Sequence, residues 1–224
     1  MTQDQFFTAV KAGDQAELSS MLEATPALAL GRDGQGVSAS LVALYHRKKE
    51  AADLLLARKE AMQPLDIFEA AAFGRSDRIE ALLAGQPELA NAYSSDGFYP
   101  LGLAAFFGHE GAVAILLARG ADPNLAARNA MKVRALHAAA AARSLPIVKR
   151  LIEAGGDVNA RQEAGFTPLL DAAFTGQHEL AQLLLDHGAD LEAKDAQGRS
   201  PLSMARAAAD QKMIDLLISR GASA

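Results

Sequence analysis

Five histidines, His46, His109, His137, His178 and His187, are the side chains best suited to chemistry near neutral pH. Their spacing gives them little to work with. His178 and His187 stand nine apart with Asp186 beside the second, and neither His-x-x-x-His nor Glu-x-x-His spacing occurs, so no helix face offers a zinc or di-iron ligand pair. Gly31 to Gly36 reads GRDGQG, yet no Lys-Ser or Lys-Thr follows and no strand pattern precedes it. Those glycines read as a turn. Ser203 has no base spaced to activate it, and no Gly-x-Ser-x-Gly elbow occurs. The absence of cysteine removes thiolate metal sites, cysteine nucleophiles and disulfides together, and it fits a reducing compartment. These patterns argue against an enzyme and imply no metal or cofactor.

Composition bounds the remaining classes. The chain has 224 residues, 50% of them hydrophobic and 22% charged, enough for a sizeable core. Its net charge is −5, and no Lys/Arg run exceeds Arg47–Lys49, so no concentrated basic face is available for nucleic acid. The start, MTQDQFFTAVKAGDQAE, lacks the basic segment and apolar run of a secretory signal. The longest clean apolar run, Ala112 to Ala118, falls far short of the roughly 20 residues that a membrane helix needs. Cytoplasm is the expected compartment.

The elements that must position any site come from self-similarity. Laying GFYPLGLAAFFGHEGAVAILLARGADPN (97–124) over GFTPLLDAAFTGQHELAQLLLDHGAD (165–190) matches Gly97 with Gly165, Pro100 with Pro168, Ala104-Ala105 with Ala172-Ala173, and Gly108 with Gly176. The same frame accepts segments from Gly198 and Lys132, and more loosely from Asp66, Gly36 and Phe6. Frame positions near 2, 36, 63, 97, 132, 165 and 198 give steps of 34, 27, 34, 35, 33 and 33 residues. A period of about 33 residues marks a solenoid of small stacked units. The expected units are 2–33, 34–62, 63–94, 95–129, 130–162, 163–195 and 196–224, one array across 1–224.

Each unit reads as two helices. Thr167-Pro168 or Ser200-Pro201 opens the first, with a hydroxyl cap and a proline where the missing N–H is harmless. A glycine such as Gly74, Gly108 or Gly176 ends it in a left-handed conformation. The second carries apolar residues at helical spacing, as in Val113, Leu116 and Leu117 or Val148, Leu151 and Ile152, and stops at Gly120-Ala121, Gly155-Gly156, Gly188-Ala189 or Gly221-Ala222.

Pro100-Leu101, Leu136-His137-Ala138-Ala139 and Thr167-Pro168-Leu169 resemble the Thr-Pro-Leu-His-x-Ala-Ala signature of the ankyrin repeat. Gly108-His109 is similar to its inter-helix turn, and Gly120-Ala121-Asp122-Pro123-Asn124 and Gly188-Ala189-Asp190 are similar to its repeat ends. The resemblance covers nearly the whole chain and is tightest in the last four units. It implies an all-α ankyrin-repeat solenoid with short β-hairpin fingers, and histidines at 109 and 137 held by backbone groups. The step of 27 residues leaves only KEAMQP (59–64) between the second and third units, so a finger is expected to be missing there. The Pro-x-Leu loops in TPALALGRDGQG and QPELANAYSSDG look more like bacterial than animal members. In the last unit Arg206 and Asp210 replace the usual alanine and Gly-His, as suits a cap facing water.

In such stacks the first helices and fingers line a concave face, whose variable positions lie just before the inter-helix glycine and beside the finger glycine. Collected here they are Tyr45, His46, Phe73, Phe106, Phe107 and Phe174 from helix ends, with Phe98, Met131, Val133 and Phe166 from fingers and Tyr99 beside them. Of the nine Phe and three Tyr in the chain, seven fall on this face without Tyr99. Phe106 and Phe107 cannot both point inward from adjacent helical positions. Arg128, Lys132, Arg134, Arg161, Glu163, Lys194 and Asp195 are expected to form a charged rim. The function expected is a scaffold that grips a protein or peptide there, monomeric unless the stripe meets a second copy. A narrower form is an inhibitor or immunity partner of a co-encoded enzyme or toxin. An enzyme or small-molecule binder would instead show a deep pocket with perturbed ionisable groups.

Overall fold

The computed structural model describes residues 2–223, and among them the chain forms fourteen α-helices with no named strand. They are α1 (Gln3–Ala12), α2 (Gln15–Ala24), α3 (Ala39–Tyr45), α4 (Lys49–Glu60), α5 (Ile67–Ala72), α6 (Ser76–Gly85), α7 (Pro100–Phe106) and α8 (Glu110–Ala118), then α9 (Ala135–Ala141), α10 (Leu145–Glu153), α11 (Pro168–Phe174), α12 (His178–Asp186), α13 (Pro201–Ala207) and α14 (Gln211–Ser219). Local chemistry sets their ends. Thr167 Oγ1 accepts from the Leu170 N–H at 3.3 Å and Ser200 Oγ from the Ser203 N–H at 3.2 Å, each just before a proline that opens the helix. Gly108 and Gly176 turn the chain at φ +77° and +65°. Arg47, Arg143 and Ala209 hold the corresponding position at φ +59°, +56° and +52° without glycine's freedom.

Consecutive helices pair, and the pairs stack in two layers. The first helices pack in chain order, α1 on α3 and onward to α11 on α13; in the other layer α2 meets α4, and α6 through α14 follow one another. Ala104, Ala139, Ala172 and Ala205 are fully buried at matching points of four first helices. Leu116, Leu151, Leu184 and Leu217 are fully buried at matching points of four second helices. Small residues on one layer let the pairs approach and leucines on the other fill the space, so no pair closes a core by itself.

The expected fingers are turns rather than hairpin ladders. Two isolated bridges, Arg32 to Ser38 and Ala126 to Arg134, are the strand-like contacts found among the described residues. Aspartates tighten these turns: Asp33 Oδ1 accepts from the Gln35 and Val37 N–H groups at 2.9 Å, and Asp195 Oδ1 accepts from Gln197 and Arg199. Between α4 and α5 the chain passes through residues 61–66 with no such turn.

Candidate functional site

Four aromatic rings gather where α3 and α7 end. Tyr45 stacks on Phe107 at 6.4 Å with planes 5° apart and meets Phe98 at 5.9 Å, while Phe106 stands edge-on to Phe107 at 5.1 Å. Phe107 is half-buried against the core and Phe106 is 50% exposed, which resolves the adjacent pair into one packing ring and one free ring. Burial first, and the Asp96 carboxylate second, hold the Tyr45 phenol well above its ordinary pKa.

Beside this cluster lies a recess of about 520 Å³. Phe98, Phe106, Met131 and Val133 line it with Tyr45, and α9 contributes Ala138 and Ala141. An alanine helix between the phenylalanines of its neighbours makes the depression. The recess therefore brings together Tyr45, Phe98, Tyr99, Phe106, Met131 and Val133 from the expected site residues. It does not include Phe73, Phe107, Phe166 or Phe174. Phe73 and Phe166 are partly buried against the core, the latter with the Arg199 guanidinium 5.8 Å from its ring centroid, and Phe174 is 61% exposed outside the recess.

Two expectations need correction. Tyr99 is only 1% exposed and cannot present a ring at the surface. It lies edge-on to Tyr93 at 6.2 Å and occupies the space that a side chain at Gly102 would need, where a Cβ would stand 2.9 Å from the Tyr99 ring. The charged rim is also largely engaged within the chain. Arg134 donates to the Asn124 and Arg161 carbonyls, Arg161 donates to the Gly165 and Lys194 carbonyls, and Arg128 covers the Tyr93 ring at 3.9 Å. Lys132 pairs with Glu163 at 3.3 Å, and Asp195 pairs with Arg199 at 2.7 Å. A guanidinium reaching the next turn's carbonyl is a staple between pairs.

The polar side of the recess went unread in the sequence: Gln162, Asp171, Thr175 and Gln177, with His137 nearby. Burial raises the Asp171 carboxyl pKa to about 6, and burial lowers that of the His137 imidazole to about 4. His137 Nε2 donates to the Phe166 carbonyl at 3.2 Å, and Asp171 receives the Gln162 amide at 3.5 Å. Among the described residues no hydrogen bond joins the acid to the imidazole. His109 Nε2 donates to the Ala72 carbonyl, and His178 Nε2 meets both oxygens of Asp210 at 2.9 Å. No group of three or more His, Asp or Glu is placed to hold a metal ion among the described residues.

A sequence profile described as ankyrin repeats (3 copies) matches residues 67–162 and 136–224, more than half of the chain. The chain belongs to the ankyrin-repeat family. Proteins built of ankyrin repeats are generally protein–protein interaction modules, and the matched residues of this ankyrin-repeat chain begin at α5 and include all but one of the residues lining the recess. A search of curated proteins finds no match. No helix among the described residues of the ankyrin-repeat chain is long and apolar enough to cross a membrane.

Proposed function

We propose that this chain is a protein-binding scaffold, one array of seven helix-pair units whose concave first-helix face grips a protein or peptide. The observation that carries the reading is the recess of about 520 Å³ with Phe106 and Met131 on its lining, 50% and 51% exposed. Phe174, 61% exposed, offers a second apolar side chain on the next pair, outside the recess. Exposed apolar clusters of this kind normally mark an interaction site. Each ring that a partner covers removes on the order of 150 Å² from water, roughly 2–4 kcal/mol before ordering costs. A few such anchors around a depression suffice for a hot spot.

The test compares the wild type with Phe106→Ser/Met131→Ser/Phe174→Ser. A partner is identified by capture from lysate, purified, and titrated calorimetrically against both proteins. The expected result is a loss of affinity of a hundredfold or more, with the thermal midpoint unchanged to within about 3 °C. Equal binding by the triple variant moves the site off this face. Loss of the fold instead would make these side chains structural.

A further inference from the structure

The recess is apolar along most of its length and ends in a cluster dominated by hydrogen-bond acceptors. All but one of the donors there are already engaged. Gln162 Nε2 donates to Asp171 Oδ2 at 3.5 Å, and Thr175 Oγ1 donates to the Asp171 main-chain oxygen at 2.7 Å. Gln177 Nε2 donates to the Ala140 carbonyl at 3.2 Å and to Thr175 Oγ1 at 2.8 Å. Left over are one Gln162 amide N–H and three acceptors, Asp171 Oδ1 and the two glutamine amide oxygens, none of which receives a donor among the described residues.

No cation among the described residues answers the carboxylate. Among the described residues no ion pair reaches Asp171; Arg143 turns its guanidinium to the Thr175 carbonyl at 3.2 Å, and Lys132 is held by Glu163. The raised pKa of Asp171 has burial as its cause, with no neighbouring charge offsetting it. A partner that filled the apolar part alone would bury this carboxylate further and leave it unpaired, which is strongly unfavourable. Lysine and arginine fit both parts, because their stems pack on apolar surface while their heads donate.

We infer that the occupant of the recess is a segment of a partner protein that inserts a lysine or arginine side chain flanked by apolar residues. The aliphatic stem lies between Phe106, Met131 and Val133 over Ala138 and Ala141, and the cationic head donates to Asp171. The rings add cation–π attraction along the way. This assignment rests on the face being the binding surface.

A phage-displayed library of random dodecapeptides, selected on the wild type, on Asp171→Asn and on Phe106→Ser, tests it. The wild type is expected to enrich peptides with lysine or arginine at one fixed position between aromatic or aliphatic residues. A synthetic peptide of the enriched sequence should bind Asp171→Asn ten to a hundred times more weakly. Replacing its basic residue by norleucine should weaken binding to the wild type and leave binding to Asp171→Asn unchanged. Enriched peptides that need Phe106 but carry no fixed basic residue, or that bind Asp171→Asn equally, overturn the basic-segment assignment while keeping the face. Peptides indifferent to Phe106→Ser, or no enrichment by a wild type that elutes as a dimer, overturn both.

Discussion

Asp171 is the residue at which binding and folding pull in opposite directions. Its carboxyl titrates near 3.8 in an unfolded chain and at about 6 in the folded protein, because burial penalises the charged form. Between those values the native state holds more protons than the unfolded state, so stability falls as pH rises through the window. The cost at pH 7 is roughly 1–3 kcal/mol. Asp171→Asn keeps the size and removes the charge. It should match the wild type near pH 4 and exceed it by about that amount at pH 7, measured by urea unfolding across the range. A variant that is weaker at pH 7 would mean that the ionised form is well solvated in the folded protein. His137 contributes the opposite slope, since its imidazole falls from 6.5 to about 4 on burial and stability is lost as pH drops between them. The two slopes oppose one another over pH 4–6, and Asp171→Asn should uncover the histidine's.

Between elements, the repeat ends act as staples. Asn91, Asn124 and Asn159 each donate Nδ2 to the carbonyl of Gly120, Gly155 and Gly188 in the next pair, and each Oδ1 accepts the N–H of Asp122, Asp157 and Asp190. Asn124→Ala removes one bond of 2.9 Å and one of 2.7 Å, an expected loss of about 1–2 kcal/mol in denaturant unfolding. Asn124→Asp keeps the acceptor but sets a carboxylate oxygen against the Gly155 carbonyl, and should lose at least as much as Asn124→Ala. A neutral Asn124→Ala would show that water serves these groups as well. Such staples belong to motifs that were legible in the sequence, because glycine turns, proline openings and capping hydroxyls are decided within a few residues. Of the aromatic residues collected from the repeat frame, Tyr45, Phe98 and Phe106 line the recess with the buried Tyr99, while Phe73, Phe107, Phe166 and Phe174 lie outside it. The polar half of the recess was not legible: Gln162, Asp171 and Gln177 become one surface with Phe98 and Phe106 only through stacking, and no spacing along the chain encodes that. Arg134 and Arg161 misled in the opposite direction, since their charge suggested a rim while their reach to the next carbonyl makes them structural.

For the molecule as a whole, stability in a stack is a sum of unit and interface terms, so one weak junction can divide the array. The junction between α4 and α5 lacks an aspartate-tightened finger turn and is filled instead by charge. Lys59 and Glu69 are 2% and 0% exposed, with Nζ 2.7 Å from Oε1, and Ser40 Oγ donates to the same oxygen at 3.0 Å. The Asp66 N–H donates to the other oxygen at 3.4 Å. Outside this cluster Tyr45 reaches Phe98 and Phe107, with only Ala72 at the intervening helix end. A buried pair adds little net stability, yet removing one partner typically costs about 3–5 kcal/mol because the other charge is stranded. Lys59→Met should therefore destabilise by that amount, and hydrogen exchange should locate the loss in α1–α4 while α9–α14 keep their protection. Lys59→Met/Glu69→Leu strands no charge and should recover most of it. Uniform loss of protection in Lys59→Met would instead mean that the array unfolds as one body, with Tyr45 and its aromatic neighbours coupling the first helices to the recess strongly enough to override the polar junction beneath them.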